Sequence, residues 1–430
     1  MKFDLLHPAD QLVMIMDRIY SNNLTTMSGG NISILDEEGD IWITPSGIDK
    51  GNLTRGDICH VRPDGMVDGR HKPSVELPFH KKVYEARPDV KAVVHAHPPA
   101  LVSYSLTRKA PPTDIIPTPH IVIGKVGIAK YDVPGSKKLG ENIAKKFAEG
   151  CNAVVMESHG VVTCGKDILL AFKRFETLEY CAELNIQSHK LGTPVILTPE
   201  QISQANAHGA IALGEFIPNS RSSQEKEARY AMCNLIRRAY IEKLFASSQG
   251  TFSQRLKGDS FLITPTDADR LYMEPADLVR VDNGWREAGK MPSRSVLLHR
   301  EIYMKHPEIN AIVIAYPANI MAFGITRAEL DARTIPESYI MMRKIARVPF
   351  GTVYSHPEKI LALVSEKSPI VLIENDSLFV TGKNLLNCFD KLEVSEFTAK
   401  TIISAKDVGK IIPISDAEVS EINKAFNLID

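Results

Sequence analysis

The chain has 430 residues, of which 44% are hydrophobic and 24% charged, and its formal net charge is -1. That is enough apolar material for two or three buried cores. A charge so near balance excludes a field of one sign that would draw in nucleic acid or an anionic membrane, so specificity rests on local sites.

Apolar residues at helical spacing predict an opening helix over residues 10–20. The acids among its first residues and the lack of an unbroken apolar run set this segment apart from a secretion signal. No stretch reaches the roughly 18 apolar residues of a spanning helix, so no membrane association is expected. Strands are predicted around Ile32 and Ile41, followed by a polar stretch. A helix is expected over 73–86, a strand over 91–96, a helix near 137–149, a strand over 153–156 and a long helix over 168–191. Residues 216–223, FIPNSRSS, lack apolar periodicity and mark a boundary before a new helical pattern, EKEARYAMCNLIRRAY. The six cysteines show no CxxC spacing, hence neither a disulfide framework nor a thiolate metal site, and a reducing cytoplasmic setting is expected. Helices and strands mix without regular βαβ alternation, which favours a helix-covered sheet with substantial antiparallel content over a doubly wound parallel one.

The two halves of the chain are alike. KPSVELPFHKKVYEARPDVKAVVHAHP, from Lys72, aligns without a gap with MPSRSVLLHREIYMKHPEINAIVIAYP, from Met291. Carried to the following Thr, the pair gives about ten identities in roughly 35 positions. IWITPSG meets FLITPTD, and AVVMESHGVVTCG meets IVLIENDSLFVTG. Two domains follow, 1–215 and 216–430.

AVVHAHP places His95 and His97 two apart at the end of a β-rich run, so both rings project to one face. Alone, such a pair is also what chance or a packed core gives. Glu76, in the preceding helix, and His159, in a strand-to-helix turn, complete a set of three imidazoles and a carboxylate that suits Zn²⁺ or another divalent ion with a position open for substrate. In the second half the four positions hold Ser295, Ile314, Tyr316 and Asp376, so the whole set is lost while the scaffold stays. His80, matched by His299, is read as structural, and His60, His71, His189 and His208 as solvated surface residues. Three small-residue segments, SGGNIS at 28–33, TPSG at 44–47 and KPS at 72–74, are ordinary turns or caps singly. Beside a metal site they suit an anion pocket, with a helix starting near Ser74 aiming its positive end at a phosphate.

The GGN, TPSG, PSxE, HAHP and SHG segments resemble the class II aldolase and adducin family over nearly all of the first half, and the second half resembles the same fold with its site erased. The resemblance implies two tandem three-layer α/β/α domains with a mainly antiparallel central sheet. It implies that His95, His97 and His159 bind zinc, with Glu76 as a fourth ligand that swings away to act as acid/base. Gly30, Asn31, Ser46, Gly47 and Ser74 fall where the family's aldolases hold a substrate phosphate. The implied activity is that of a metal-dependent lyase splitting a short ketose phosphate through a metal-stabilised enediolate. Decarboxylases, epimerases and dehydratases of the family use the same chemistry, and adducin-like members serve as assembly modules. Two departures stand out. Val75 replaces a hydroxyl residue expected before the glutamate, and the segment 115–120 lacks the tyrosine of the family's fuculose-phosphate enzyme, leaving His120 as the candidate proton donor to the leaving aldehyde. Family enzymes form fourfold tetramers, so two such chains are expected to imitate one ring.

Overall fold

The computed structural model describes residues 3–207, 209, 211–343 and 345–428. His208 lies outside the described residues. The chain forms two compact units, one running to residue 113 and joined by 118–183, the other comprising 114–117 and 184 onward. Residues 184–215, which the repeat places with the first copy, thus fall in the second unit.

The first unit is built on an eight-stranded sheet. Its strands are β1 (Asn31–Leu35), β2 (Ile41–Ile43), β3 (Cys59–Val61), β4 (Val67–Asp68), β5 (Ala92–Ala96), β6 (Val126–Ala129), β7 (Ala153–Met156) and β8 (Val161–Gly165). They lie in the order β4-β3-β2-β1-β5-β8-β7-β6, and every neighbouring pair is antiparallel except β6 with β7. The helices are α1 (Pro8–Ser21), α2 (Leu77–Ala86), α3 (Pro99–Thr107), α4 (Pro117–Ile123), all but its first residue in this unit, α5 (Lys137–Ala148) and α6 (Ile168–His189), which belongs to this unit up to residue 183. Helix α1 starts with Pro8 in its first turn and a cap in which His7 Nδ1 accepts from Ala9 N, and it buries Leu12, Ile15, Met16 and Ile19 at helical spacing.

Helices α2 and α5 pack together over one sheet face, where Phe79, Val83, Leu139, Ile143 and Phe147 meet Val93, Val154 and Val162. The other face, with Ile32 opposite Val94, is buried as well, and α1 and α3 pack on the sheet. The result is a three-layer α/β/α unit with a mainly antiparallel sheet. Helix α2 begins at Leu77 rather than near residue 73, because Pro73 is engaged in a β-bridge with Pro45 and the chain turns at Ser74, whose carbonyl accepts from Leu77 N. The positive end of α2 therefore lies at Glu76, its N-cap, and not at Ser74.

The second unit repeats this plan with α7 (Pro199–Ala207), β9 (Glu215–Phe216), α8 (Ser223–Ile241), β10 (Thr251–Arg255), β11 (Ser260–Ile263), β12 (Val279–Asp282), β13 (Trp285–Glu287), α9 (Val296–Lys305), β14 (Ala311–Ala315), α10 (Ala318–Thr326), α11 (Pro336–Met342), β15 (Ala346–Val348), α12 (Thr352–Ser355), α13 (Pro357–Leu363), β16 (Ile370–Ile373), β17 (Ser377–Gly382), α14 (Leu385–Ala405) and α15 (Asp416–Ala425). Its strand order is β15-β16-β17-β14-β10-β11-β12-β13-β9. Strand β10 pairs with β14 as β1 does with β5, and Pro265 bridges Pro292 as Pro45 bridges Pro73. No described helix is long and apolar enough to cross a membrane.

Candidate metal centre

Strand β5 is held between β1 and β8, with His95 opposite Asn31 on one side and Val162 on the other. His97 follows the strand end by one residue, so the two rings share a face and their centroids lie 4.7 Å apart. His159 sits in the turn between β7 and β8, where Ser158 takes a left-handed conformation (φ 52°). That turn brings the His159 ring to 5.0 Å from His95 and 5.1 Å from His97, centroid to centroid. One ligand nitrogen from each of the three rings lies within 4.8 Å of the other two. From the start of α2, Glu76 sets Oε2 3.1 Å from His95 Nε2 and Oε1 3.5 Å from His159 Nε2.

Three glycines keep this space clear. A Cβ on Gly160 would stand 2.6 Å from Ala96 O and 2.6 Å from His97 Cδ2, and one on Gly29 would stand 3.0 Å from His97 Nδ1. Gly30, at φ +71°, runs so close to β5 that a Cβ would lie 2.8 Å from His95 O.

His95 is fully buried, and its Nδ1 lies 2.9 Å from Val161 O. A carbonyl only accepts, so Nδ1 carries the proton and the Nε2 lone pair faces the cluster, as a metal ligand requires. Burial, followed by His95 and His159, pushes His97 down to about 3, and burial, followed by His95, pushes His159 down to about 4, so both are neutral near pH 7. Burial alone would raise the Glu76 carboxyl, but His95, the amide of Asn31 and His159 hold it well below the usual carboxylate range. Burial opposes charge on His95, yet Glu76 beside it raises its pKa. Nε2 of His95, Nε2 of His97, Nδ1 of His159 and Oε1 of Glu76 are buried without a hydrogen-bond partner. One nitrogen from each of three imidazoles within 4.8 Å of the others, with Nε2 of His95, Nε2 of His97 and Oε1 of Glu76 buried and unpartnered, fits a divalent cation.

The three small-residue segments meet beside this cluster. Ser46 N donates to Lys72 O at 2.9 Å, Ser74 N to Thr44 O at 3.3 Å, and Ile32 N to Thr44 Oγ1 at 3.1 Å. Gly47 is exposed at φ +72° with open space around it, whereas Ser74 is buried and its Oγ accepts from Glu76 N. Asn31 is engaged at both ends of its amide, donating to Glu76 Oε2 and lying 2.6 Å from His80 Nε2. His120 lies half-buried on α4, outside the histidine cluster, and its Nδ1 has no hydrogen-bond partner.

Two histidines read as solvated surface residues are instead half-buried and paired. His60 Nε2 lies 2.5 Å from Asp40 and its ring stacks on Trp42, and His71 Nε2 lies 2.9 Å from Asp57. Sequence reasoning also passed over Gly29, Gly160 and Lys50. Lys50 is 2% exposed, its Nζ donates to Pro45 O, and burial lowers its pKa to about 8. The repeat held a signal for each. Gly29 and Gly160 align with Gln249 and Ser377, and Lys50 with Arg270, whose guanidinium binds the carbonyls of Gln249, Gly250, Pro265 and Ala268.

Where the first unit has its cluster, the second has hydroxyls. Asp376 accepts from Tyr354 Oη at 2.6 Å and from Ser377 Oγ at 2.8 Å, and Ser293 Oγ lies 2.8 Å from Thr251 Oγ1 and 3.2 Å from Ser295 Oγ.

The sequence profile described as "Class II Aldolase and Adducin N-terminal domain" matches residues 10–186 and again 230–403. The chain belongs to the class II aldolase and adducin family. The double match accords with a tandem duplication, and the chain is an enzyme of the class II aldolase type, a metal-dependent class. It is 34% identical over 175 residues to an L-fuculose phosphate aldolase of Methanococcus maripaludis, a match spanning 41% of this chain and 94% of that relative. It is 33% identical over 178 residues to a 3-oxo-tetronate 4-phosphate decarboxylase of Pectobacterium atrosepticum, spanning 40% of this chain and 81% of the relative. Among solved structures, an L-fuculose 1-phosphate aldolase shares 32% identity with a TM-score of 0.42, covering 46% of this chain and 92% of that one.

Proposed function

We propose that residues 1–215 act as the catalytic copy and that this copy cleaves a short ketose phosphate between C3 and C4, while residues 216–430 are a copy without metal ligands. The observation that carries this reading is the convergence of one ring nitrogen each from His95, His97 and His159 on one point beside Glu76. His95, His97, His159 and Glu76 would hold Zn²⁺. Once bound, the ion would supply the Lewis acidity that polarises the substrate carbonyl and balances the charge developing on its oxygen.

The chain's own groups do the rest. Gly30, Asn31, Ser46, Gly47 and Ser74 form the pocket for the phosphate end. As the C3–C4 bond breaks, the C4 hydroxyl loses its proton to form the aldehyde, an exchange assigned to His120, and Glu76 returns a proton to C3. Glu76 starts as a carboxylate, so it acts as acid at C3 once the proton released by the C4 hydroxyl has been passed on to it from His120.

A decarboxylase of a phosphorylated keto acid is the second reading, favoured by relatives of that activity at nearly the same identity. A screen of the zinc-loaded protein against ketose phosphates, free ketoses and phosphorylated keto acids separates the two. Glu76→Gln is expected to lower turnover by about 10²- to 10⁴-fold. Undiminished turnover in that variant defeats the acid/base role. The duplicated chain is further proposed to pair as a homodimer imitating a fourfold ring, which light scattering on a fully active monomer would rule out.

A further inference from the structure

The buried polar atoms behind Glu76 form a line with a single direction. Tyr84 Oη lies 2.6 Å from Ser33 Oγ, Ser33 Oγ 2.7 Å from His80 Nδ1, and His80 Nε2 2.6 Å from Asn31 Oδ1, while Asn31 Nδ2 donates to Glu76 Oε2 at 2.8 Å. All five side chains are buried. A carboxylate only accepts, so Asn31 must give an amide proton to Glu76 and turn its oxygen to His80. His80 then donates from Nε2. A neutral ring accepts at Nδ1, so the Ser33 hydroxyl donates to His80 and itself accepts from Tyr84. Each donor points toward Glu76, and in a buried chain each bond polarises the next.

The second unit supplies the control. Tyr303, Ser253 and His299 repeat the first half of the line at 2.6 Å and 2.6 Å, with His299 fully buried. There Thr251 stands in place of Asn31 and Ser295 in place of Glu76. Thr251 turns to Ser293, and His299 Nε2 is left buried without a partner. The Tyr-Ser-His trio thus belongs to the scaffold of both copies, whereas the asparagine that extends it is present only where there is a glutamate to hold.

We infer that His80, acting through Asn31, is a positioning residue that fixes the Glu76 carboxylate toward His95 and His159. This deepens the metal-site reading and rests on it. It also gives His80 a role beyond the packing that its presence in both copies implies.

The test uses the full chain in four forms besides wild type: His80→Phe, Asn31→Thr, His80→Gln and His299→Phe. Affinity for zinc is measured by competition with a chromophoric chelator, beside kcat, KM and thermal unfolding of the metal-free protein. His80→Phe and His299→Phe are expected to lose similar stability. Only His80→Phe and Asn31→Thr should weaken zinc binding, by about 10- to 100-fold, and in His80→Phe, which leaves the phosphate pocket intact, kcat should fall more than KM changes. His80→Gln, which keeps an N–H donor for Asn31, should recover part of both. Zinc affinity and kcat in His80→Phe no different from those of His299→Phe would overturn the inference alone. A wild-type chain that takes up no zinc would overturn the metal reading and this inference with it.

Discussion

Gly160 sets how closely the three histidines pack. Its missing side chain leaves room for the His97 ring and for Ala96 O, both 2.6 Å from where a Cβ would be. Neither is the far end of a flexible chain, since Ala96 O is backbone and the ring is held in a crowded cluster. Gly160→Ala is therefore expected to cost about 1–3 kcal/mol of stability and to weaken zinc uptake by displacing His97, read by denaturant unfolding and metal titration. Wild-type zinc affinity in this variant would show that His97 is not held where the clash falls. The ligand candidates themselves were legible because the chain carries a duplicate in which Glu76, His95, His97 and His159 are replaced together. The repeat marks Gly29 and Gly160 only as positions where the copies differ, and what they and the Asn31–His80 link do lies in clearances and hydrogen bonds set by the β1–β5 register and by where α2 begins. Neither is expressed in a local pattern.

At the scale of elements, the site depends on how helix α3 starts, immediately behind His97. Its first N–H groups, at Ala100 and Leu101, donate to Glu179 Oε1 and Oε2 at 3.0 and 2.9 Å, so a carboxylate from α6 caps α3 where no local residue does. The second unit keeps the device, with Glu396 of α14 accepting from Asn319 N and Ile320 N at 3.0 and 2.9 Å. Glu179→Ala would leave these donors unpaired in a buried place, at about 1–3 kcal/mol, and would loosen the chain that carries His97. Urea unfolding together with zinc titration checks both effects, and an unchanged midpoint would show the cap to be dispensable. The strongly amphipathic helices α1 and α5 and the long helix α6 lie within two residues of their expected ends, and β7, a short apolar run, matches its expected span. The strands β3, β4, β6 and β8 and the helices α3 and α4 were not foreseen. Strands β3 and β4 have only three and two residues, too few to show a period. Helix α3 takes its cap from a residue nearly eighty positions away.

For the whole molecule, the repeated buried histidine makes acid stability a property of the fold. His80 and His299 are both fully buried, and burial is the first cause that pushes each down to about 3. In the unfolded chain such a ring binds its proton near pH 6.5, while the folded chain resists it until about pH 3. The unfolded state therefore holds more protons across that window, and stability falls as pH is lowered through it, by up to about 1.4 kcal/mol per pH unit for each ring. Glu287, which burial would raise but which Arg229, Lys290 and Arg221 hold down to about 2, works in the same direction only below the ordinary glutamate range, so its share is intact between pH 7 and 5. His299 stands in the copy without the metal cluster, which frees it from the titration of His95, His97 and His159. His299→Phe should consequently be less stable than wild type at pH 7 yet lose stability more slowly on acidification. The difference in slope is expected to approach about 1.4 kcal/mol per pH unit below 6.5. Denaturant unfolding at half-unit steps from pH 7.5 to 5 measures it, and parallel slopes for the two proteins would mean that His299 is protonated as readily inside the fold as outside.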